Sequence, residues 1–523
     1  MKGFLLFAAP LLPLACGDAA AGGTAAEVPA AEVPAAAGPD AGGPDAGGPP
    51  DPAGFMSPGE ADPEAGTGVV LRKDGAFDGY TMIAPLNSTM VYLLDMDGKP
   101  VHEWRADSAP GGHQYLLADG TLLRAGREDV NPKFRGGGIG GRVQRLAPDG
   151  SVVWHYSLAS EMRVQHHDVE PLPNGNVLMI AWERKSAEEA LARGRDPRGV
   201  GKAGLWPDAV YEVEPVLPEG GKIVWEWHSW DHLARGAEPQ RPGRFDINLN
   251  FSPPEEESEE DRQAREDREE QMAALGYAGG EKEAVRPVGP LPPQRDRSGD
   301  WMHTNSVDYL AELDLILLSS PELCEIYLID HSTTTAQAAT SSGGRWGKGG
   351  DVLWRFGNPQ NYGAGAASDQ WLRYQHNPTF LPYAAGGDLR VLVFNNGGGR
   401  PDGSYSSVEE LVLPFDAKTG FTRAAGEPYG PAEAAWTYKD AANFFSAFIS
   451  GAQRLENGNT LICSGASGHV FEVTRAGEVV WDYRNDLGGE VKPPDHAGNA
   501  PPKALYRATR LAADHPGVQA LLR

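Results

Sequence analysis

A short run ending in aromatic residues recurs six times along the chain, and this repetition constrains the fold more than any other feature. The copies are Val101-His102-Glu103-Trp104, Val153-Trp154-His155-Tyr156, Val224-Trp225-Glu226-Trp227, Leu353-Trp354-Arg355-Phe356, Ala435-Trp436-Thr437-Tyr438 and Val480-Trp481-Asp482-Tyr483. Between copies lie hairpin signals: Asp119-Gly120, Asn174-Gly175 and Asn457-Gly458, each flanked by apolar residues. Each repeat therefore reads as strand, tight turn, strand, third strand (for example Val210-Tyr211-Glu212-Val213) and aromatic outer strand. One such unit cannot bury its own apolar face, so the units must stack on one another. Six copies predict an all-β, six-bladed β-propeller. Only one strand, Leu505 to Leu511, follows the last copy, while the first blade lacks an inner strand before Tyr80. The C-terminal strand is expected to complete the N-terminal blade and leave no open sheet edge.

Composition agrees with many short strands: 66 Gly, 43 Pro and 13 Trp in 523 residues. A formal net charge of -26 opposes binding to nucleic acid or to anionic lipid, so an anionic substrate would need a local positive site. Three cysteines exclude a disulfide framework; Cys324 and Cys463 are expected as buried free thiols in strands of different blades. Residues 1–16 read as a signal peptide of lipoprotein type, with Cys16 as the lipidated residue, predicting an exported, periplasmic or cell-surface protein. Residues 17–67 are an Ala/Gly/Pro linker with little to bury. The propeller is assigned to 68–523, with an insertion at 236–298 that contains an acidic, helix-favouring run from Glu255 to Leu275 and reads as a solvated excursion.

The inner strand of every propeller blade lines the central channel, so equivalent repeat positions converge in space. That register holds His113, His167, His303, His376, Ser450 and, on the closing strand, Arg507. Polar companions stand beside three of the histidines: Asp168, Asn305 and Asn377. Such neighbours fix the tautomer and orientation of an imidazole. Strict strand alternation turns His166 away from the channel. A three-histidine metal site is a chemical rival, but no local metal motif is present, and neither metal nor cofactor is expected.

His166-His167-Asp168-Val169 with Leu172-Pro173-Asn174-Gly175-Asn176 comes first in a colinear series of motifs. Trp301-Met302-His303-Thr304-Asn305, Gln375-His376-Asn377-Pro378, Phe394-Asn395-Asn396-Gly397-Gly398-Gly399-Arg400, Ala452-Gln453-Arg454-Leu455 and Tyr506-Arg507-Ala508 follow. Together they resemble successive motifs of the bacterial arylsulfotransferases. The resemblance implies transfer of a sulfuryl group from an aryl sulfate to a phenol through a histidine, without a nucleotide sulfate donor. By motif order it makes His376 the nucleophile, with His167, His303 and Asn305 binding sulfuryl oxygens or exchanging a proton. Arg400 and Arg507 are further candidates for binding the substrate. Pro321 stands where the family carries an arginine. The partners expected are small aryl sulfates and phenols, with no nucleic acid and no membrane contact beyond the lipid anchor. The alternatives are a non-catalytic ligand-binding propeller and a metal-dependent lyase or hydrolase in the same channel.

Overall fold

Every aromatic motif forms an outermost or near-outermost strand of an antiparallel sheet, and the chain is all-β with three short α-helices and five 3-10 turns among the described residues. The computed structural model describes residues 66–128, 133–134, 136–234, 242–250, 299–491 and 503–523, which belong to one compact unit, Phe55–Arg523. The expected signal peptide, the linker up to residue 65 and the run Glu255 to Leu275 lie outside the described residues.

Middle strands such as Leu315–Ser320 and Glu325–Asp330 are buried along their whole length, because sheets pack on both of their faces. Outer strands such as Trp436–Lys439 alternate between half-buried and exposed positions. From inside outward, one sheet runs Leu505–Ala512, Gly79–Pro85, Met90–Leu94, Pro100–Arg105. The C-terminal strand thus pairs with the N-terminal Gly79–Pro85 strand, as expected. Further sheets run Ser306–Leu310, Leu315–Ser320, Glu325–Asp330, Trp354–Phe356, and His376–Phe380, Arg390–Asn395, Ser407–Val412, Trp436–Lys439. Another runs Gly451–Arg454, Thr460–Ser464, His469–Val473, Val479–Arg484, to which Gly68–Arg72 adds a fifth strand.

The arrangement is propeller-like, but six separate sheets are not what hydrogen bonding delimits. Eight strands between Pro110 and His228 form a single sheet. Its two halves join through one parallel bridge, Gly112 to His167. Glycine permits that approach: a Cβ on Gly112 would lie 1.4 Å from the His167 carbonyl oxygen.

The repeated motif has a packing role that its sequence did not disclose. One ring nitrogen from each copy reaches the turn or loop before the outermost strand of the next four-stranded group. His102 Nε2 meets the Pro148 carbonyl at 2.9 Å, and Trp154 donates to the Gly220 carbonyl at 2.8 Å. Trp225 donates to Thr333 Oγ1 at 3.2 Å and Trp354 to the Gly430 carbonyl at 2.9 Å. Trp436 donates to the Arg475 carbonyl at 2.9 Å and Trp481 to the Met96 carbonyl at 3.0 Å. Burying such an indole contributes roughly 4–6 kcal/mol by apolar transfer, and the N–H fixes where each group docks. The apolar core is layered accordingly; Trp481, Tyr483 and Val470 pack with Ile83, Tyr92 and Leu94.

Two smaller expectations are corrected. The insertion at 236–298 is not wholly a solvated excursion, since its described part places Phe245 and Ile247 in the core. Cys324 lies in the turn between two strands, with a left-handed φ of 54°, whereas Cys463 is on a strand; both are buried.

Candidate active site

Inner strands bulge where the channel register falls. Regular pairing is interrupted between Pro110 and Gln114, between Gln165 and Val169, between His376 and Thr379, and between Leu505 and Ala508. His167 and His303 both take φ 54°, Asn377 takes 48° and Ser450 takes 90°. A left-handed backbone costs a non-glycine residue roughly 1–3 kcal/mol and is retained where the surroundings enforce it. The bulges break alternation and aim consecutive side chains into one region.

This corrects the placement of His166. It does not turn away: its Nδ1 lies 2.8 Å from Nδ1 of His167, and its ring stacks on Trp182 at 4.2 Å between centroids. His166 Nε2 donates to Asp208 Oδ1 at 3.1 Å, so with a neutral His166 the shared Nδ1 contact carries the proton of His167. Asp208 Oδ2 accepts the Thr304 N–H at 2.7 Å, tying this pair to the His303 segment. Gly138 covers the His167 ring, and a Cβ there would lie 2.2 Å from Nε2.

His167 and His303 meet edge to face, 4.4 Å between ring centroids. His303 Nδ1 donates to the Asp300 carboxylate. Burial would discharge His303, but Asp300, aided by Glu322 and Asp208, holds its pKa above the ordinary value. The opposite holds for His167, which burial and the neighbouring His303, His166, His376 and Arg507 keep well below that value.

His376 is buried, and its Nδ1 lies 2.8 Å from Asn396 Oδ1 and 3.0 Å from the Tyr374 carbonyl. Both partners are acceptors once Asn396 is oriented, and Asn396 Nδ2 gives its own N–H groups to the carbonyls of Ser446 at 2.7 Å and Ile449 at 3.1 Å. The proton of His376 is therefore on Nδ1, and Nε2 carries the lone pair. Burial brings the imidazole pKa down to about 3, against those two hydrogen bonds and with the positive charges of Arg507 and His303 adding to the effect.

Arg507 joins this group. Its Nη1 donates to Asp168 Oδ2 at 2.7 Å, its Nη2 donates to the Asn305 carbonyl at 3.1 Å, and its guanidinium lies 4.9 Å over the Tyr506 ring. Burial opposes its charge, and Asp168 more than restores it. Asn305 turns one amide N–H onto the Gln375 carbonyl at 2.9 Å, bracing the residue before His376. Gln375 in turn donates to Ser319 Oγ, and to the carbonyls of Ser320 and Glu325. Nearby Glu170 is held well above the carboxylate range by burial and by Asp308, which burial itself pushes up to about 7.

Arg400 is not brought in: it donates to the Tyr405 carbonyl at 3.2 Å and to Ser407 Oγ at 2.7 Å, and its guanidinium stacks over Tyr405. None of these contacts reaches a histidine. His113 is buried against Tyr115 with Nε2 3.3 Å from Thr509 Oγ1, and burial together with Arg507 holds it well below its ordinary pKa. Ser450 hydrogen-bonds Ser446 at 2.8 Å, within the loop that holds Asn396. Pro321 opens a turn closed by the Cys324 N–H at 3.0 Å. Among the described residues, no group of three or more His, Cys, Asp or Glu is arranged to hold a metal ion.

The family model described as Arylsulfotransferase (ASST) matches residues 88–482. No curated protein matches the chain. Solved structures match distantly. A protein of unknown function from Bacteroides caccae is 9% identical, with a TM-score of 0.38, over 83% of this chain and 99% of its own. A functionally unknown protein from Desulfotomaculum acetoxidans is 9% identical, with a TM-score of 0.35, over 83% and 98%. The periplasmic gluconolactonase of Pseudomonas aeruginosa is 11% identical, with a TM-score of 0.35, over 77% and 94%. Likenesses at this level carry no functional argument.

Proposed function

Because the chain belongs to the arylsulfotransferase family, we propose that it moves a sulfuryl group from an aryl sulfate to a phenol, with His376 as the transient carrier and no nucleotide donor. The observation that carries this reading is the fixed tautomer of His376: Asn396 Oδ1 and the Tyr374 carbonyl take Nδ1–H, which leaves Nε2 as a neutral nucleophile.

In the first half-reaction the Nε2 lone pair forms the N–S bond while the S–O(aryl) bond breaks, and its electrons leave with the aryl oxygen. In the second, an acceptor phenol oxygen attacks sulfur and the N–S pair returns to Nε2. Arg507 supplies the positive charge that a -26 chain must offer a sulfate locally, and fixed N–H donors stabilise charge on the non-bridging oxygens. Asn305, with one amide N–H given to Gln375, has a second for such an oxygen. His303 exchanges a proton with the phenol oxygens, and His167 packs against it. In this reading Arg507 serves where Pro321 cannot, and Arg400 braces its own loop.

The body that holds the site is read as a six-bladed ring closed by the C-terminal strand. The eight-stranded sheet counts as two blades joined by the Gly112 bridge; the strand pair Gly79–Pro85 with Leu505–Ala512 and the contact from Trp481 to Met96 support closure. Lipidation at Cys16 and export belong to the same proposal.

A chromogenic aryl sulfate tests the activity. Chromophore release that accelerates with added phenol, follows ping-pong kinetics and disappears in His376→Ala is the expected result. Absence of release, or release insensitive to phenol and to His376→Ala, contradicts it.

A further inference from the structure

Resting on that reading, we infer that Asp300 is a positioning residue that keeps His303 an imidazolium, making Nε2 of His303 the proton donor to the departing aryl oxygen. The three central histidines differ in their partners. His376 offers Nδ1–H to neutral acceptors, and His167 shares a proton with His166, whereas His303 Nδ1 faces a carboxylate. Asp300 is itself placed by the backbone: the Trp206 N–H donates to the Gly299 carbonyl at 2.6 Å, and residue 300 bridges Trp206. Asp300 and His303 are both largely buried, at 11% and 6% side-chain exposure, so water screens their attraction little.

The charged and titratable groups facing His303 come from several segments. Asp300 is on its own segment, Asp208 and Glu322 add negative charge, and His167 and His376 are rings that burial draws toward the neutral form. Burial draws the pKa of His376 and His167 down, whereas Asp300 draws that of His303 up, a division that suits nucleophile and acid.

The step balances. An aryl sulfate monoanion, neutral His376 and protonated His303 become a free phenol, a sulfo-His376 of zero net charge and neutral His303. The proton on Nε2 of His303 goes to the aryl oxygen as the S–O bond breaks. In the return step the acceptor phenol gives its proton back to the same nitrogen. A phenol with pKa about 10 is a poor leaving group as its anion and gains most from this donor.

The test uses the full chain and two donors, phenyl sulfate and a nitro-substituted aryl sulfate whose phenolate leaves without help. In Asp300→Asn, kcat/KM for phenyl sulfate is expected to fall about 100-fold, with the nitro donor little changed, and the alkaline limb of the pH–rate profile to move to lower pH. Asp300→Glu is expected to restore both. An equal loss on both donors, or an unmoved alkaline limb, overturns the inference. The imidazole 15N spectrum of the wild-type protein gives a readout independent of folding in the variant: a neutral His303 at pH 7 also overturns it. If the wild-type protein transfers no sulfuryl group, the proposed activity fails, while the same spectrum still decides the charge of His303.

Discussion

His376 Nδ1 lies 2.8 Å from Asn396 Oδ1, and the Asn396 amide is locked in turn by the carbonyls of Ser446 and Ile449. The tautomer of His376 is thus set by a residue 20 positions away on a neighbouring strand end. Asn396→Ala frees the ring to present either nitrogen. Loss of the bond that fixes the tautomer, about 1–3 kcal/mol, predicts a 10- to 100-fold lower kcat, and loss of the two bonds to the Ser446 and Ile449 carbonyls lowers stability as well. Steady-state kinetics beside a thermal melt measures both.

Asn396→Asp makes a prediction of opposite kind. Burial brings His376 down to about 3 with a neutral partner; a carboxylate in that place raises its pKa, so the imidazole becomes protonated at higher pH. The acid limb of the pH–rate profile is expected to shift upward in the variant, and an unshifted limb would show that Asn396 does not control the ring.

Stability should also depend on pH through a histidine far from the chemistry. Burial works against the charge of His331, but Asp314 on Nδ1 at 2.7 Å and Glu212 on Nε2 at 3.0 Å raise its pKa from 6.5 to about 9. A histidine raised on folding adds stability that is complete below 6.5 and is lost as pH climbs through about 9. The contribution is a few kcal/mol at most. Melting temperature measured from pH 6 to 10 should fall across this window, and the fall should flatten in His331→Gln.

Glu325 and Arg355 form an ion pair with both side chains 0% exposed, with Nε to Oε1 at 2.8 Å. Arg355 is also enclosed by the rings of Phe245 and Tyr362, 5.3 Å and 4.9 Å from its guanidinium. Glu325→Ala leaves a buried charge without its partner and should cost about 3–5 kcal/mol. Denaturant unfolding checks the value; a loss below 1 kcal/mol would mean that water reaches Arg355.

The repeat was legible because outer strands carry their signal locally: an aromatic pair after a turn is visible in any one copy, although hydrogen bonding leaves the strands between Pro110 and His228 in one sheet rather than two. The repeat register also singled out His167, His303, His376 and Arg507, which lie close enough to shift one another's charge. What alternation could not show was the bulge. A left-handed residue at His167 adds a residue to the strand, turns His166 inward and makes a strict two-residue period misleading at the one point where it mattered. Arg400 misled for the reverse reason, since a conspicuous charge after a glycine run is bound by its own loop through Tyr405 and Ser407. Asn396 and Asp300 stood in or beside the quoted motifs, but their roles depend on which ring nitrogen they face, and spacing does not encode that.

Trapping the carrier tests the central claim most directly. The wild-type protein, mixed with an aryl sulfate without acceptor and quenched in base, is digested and its peptides mapped by mass. The account predicts one sulfuryl group on the peptide containing His376, discharged by added phenol and absent in His376→Ala. A modified residue other than His376, or turnover with no modified peptide at any time, would contradict it.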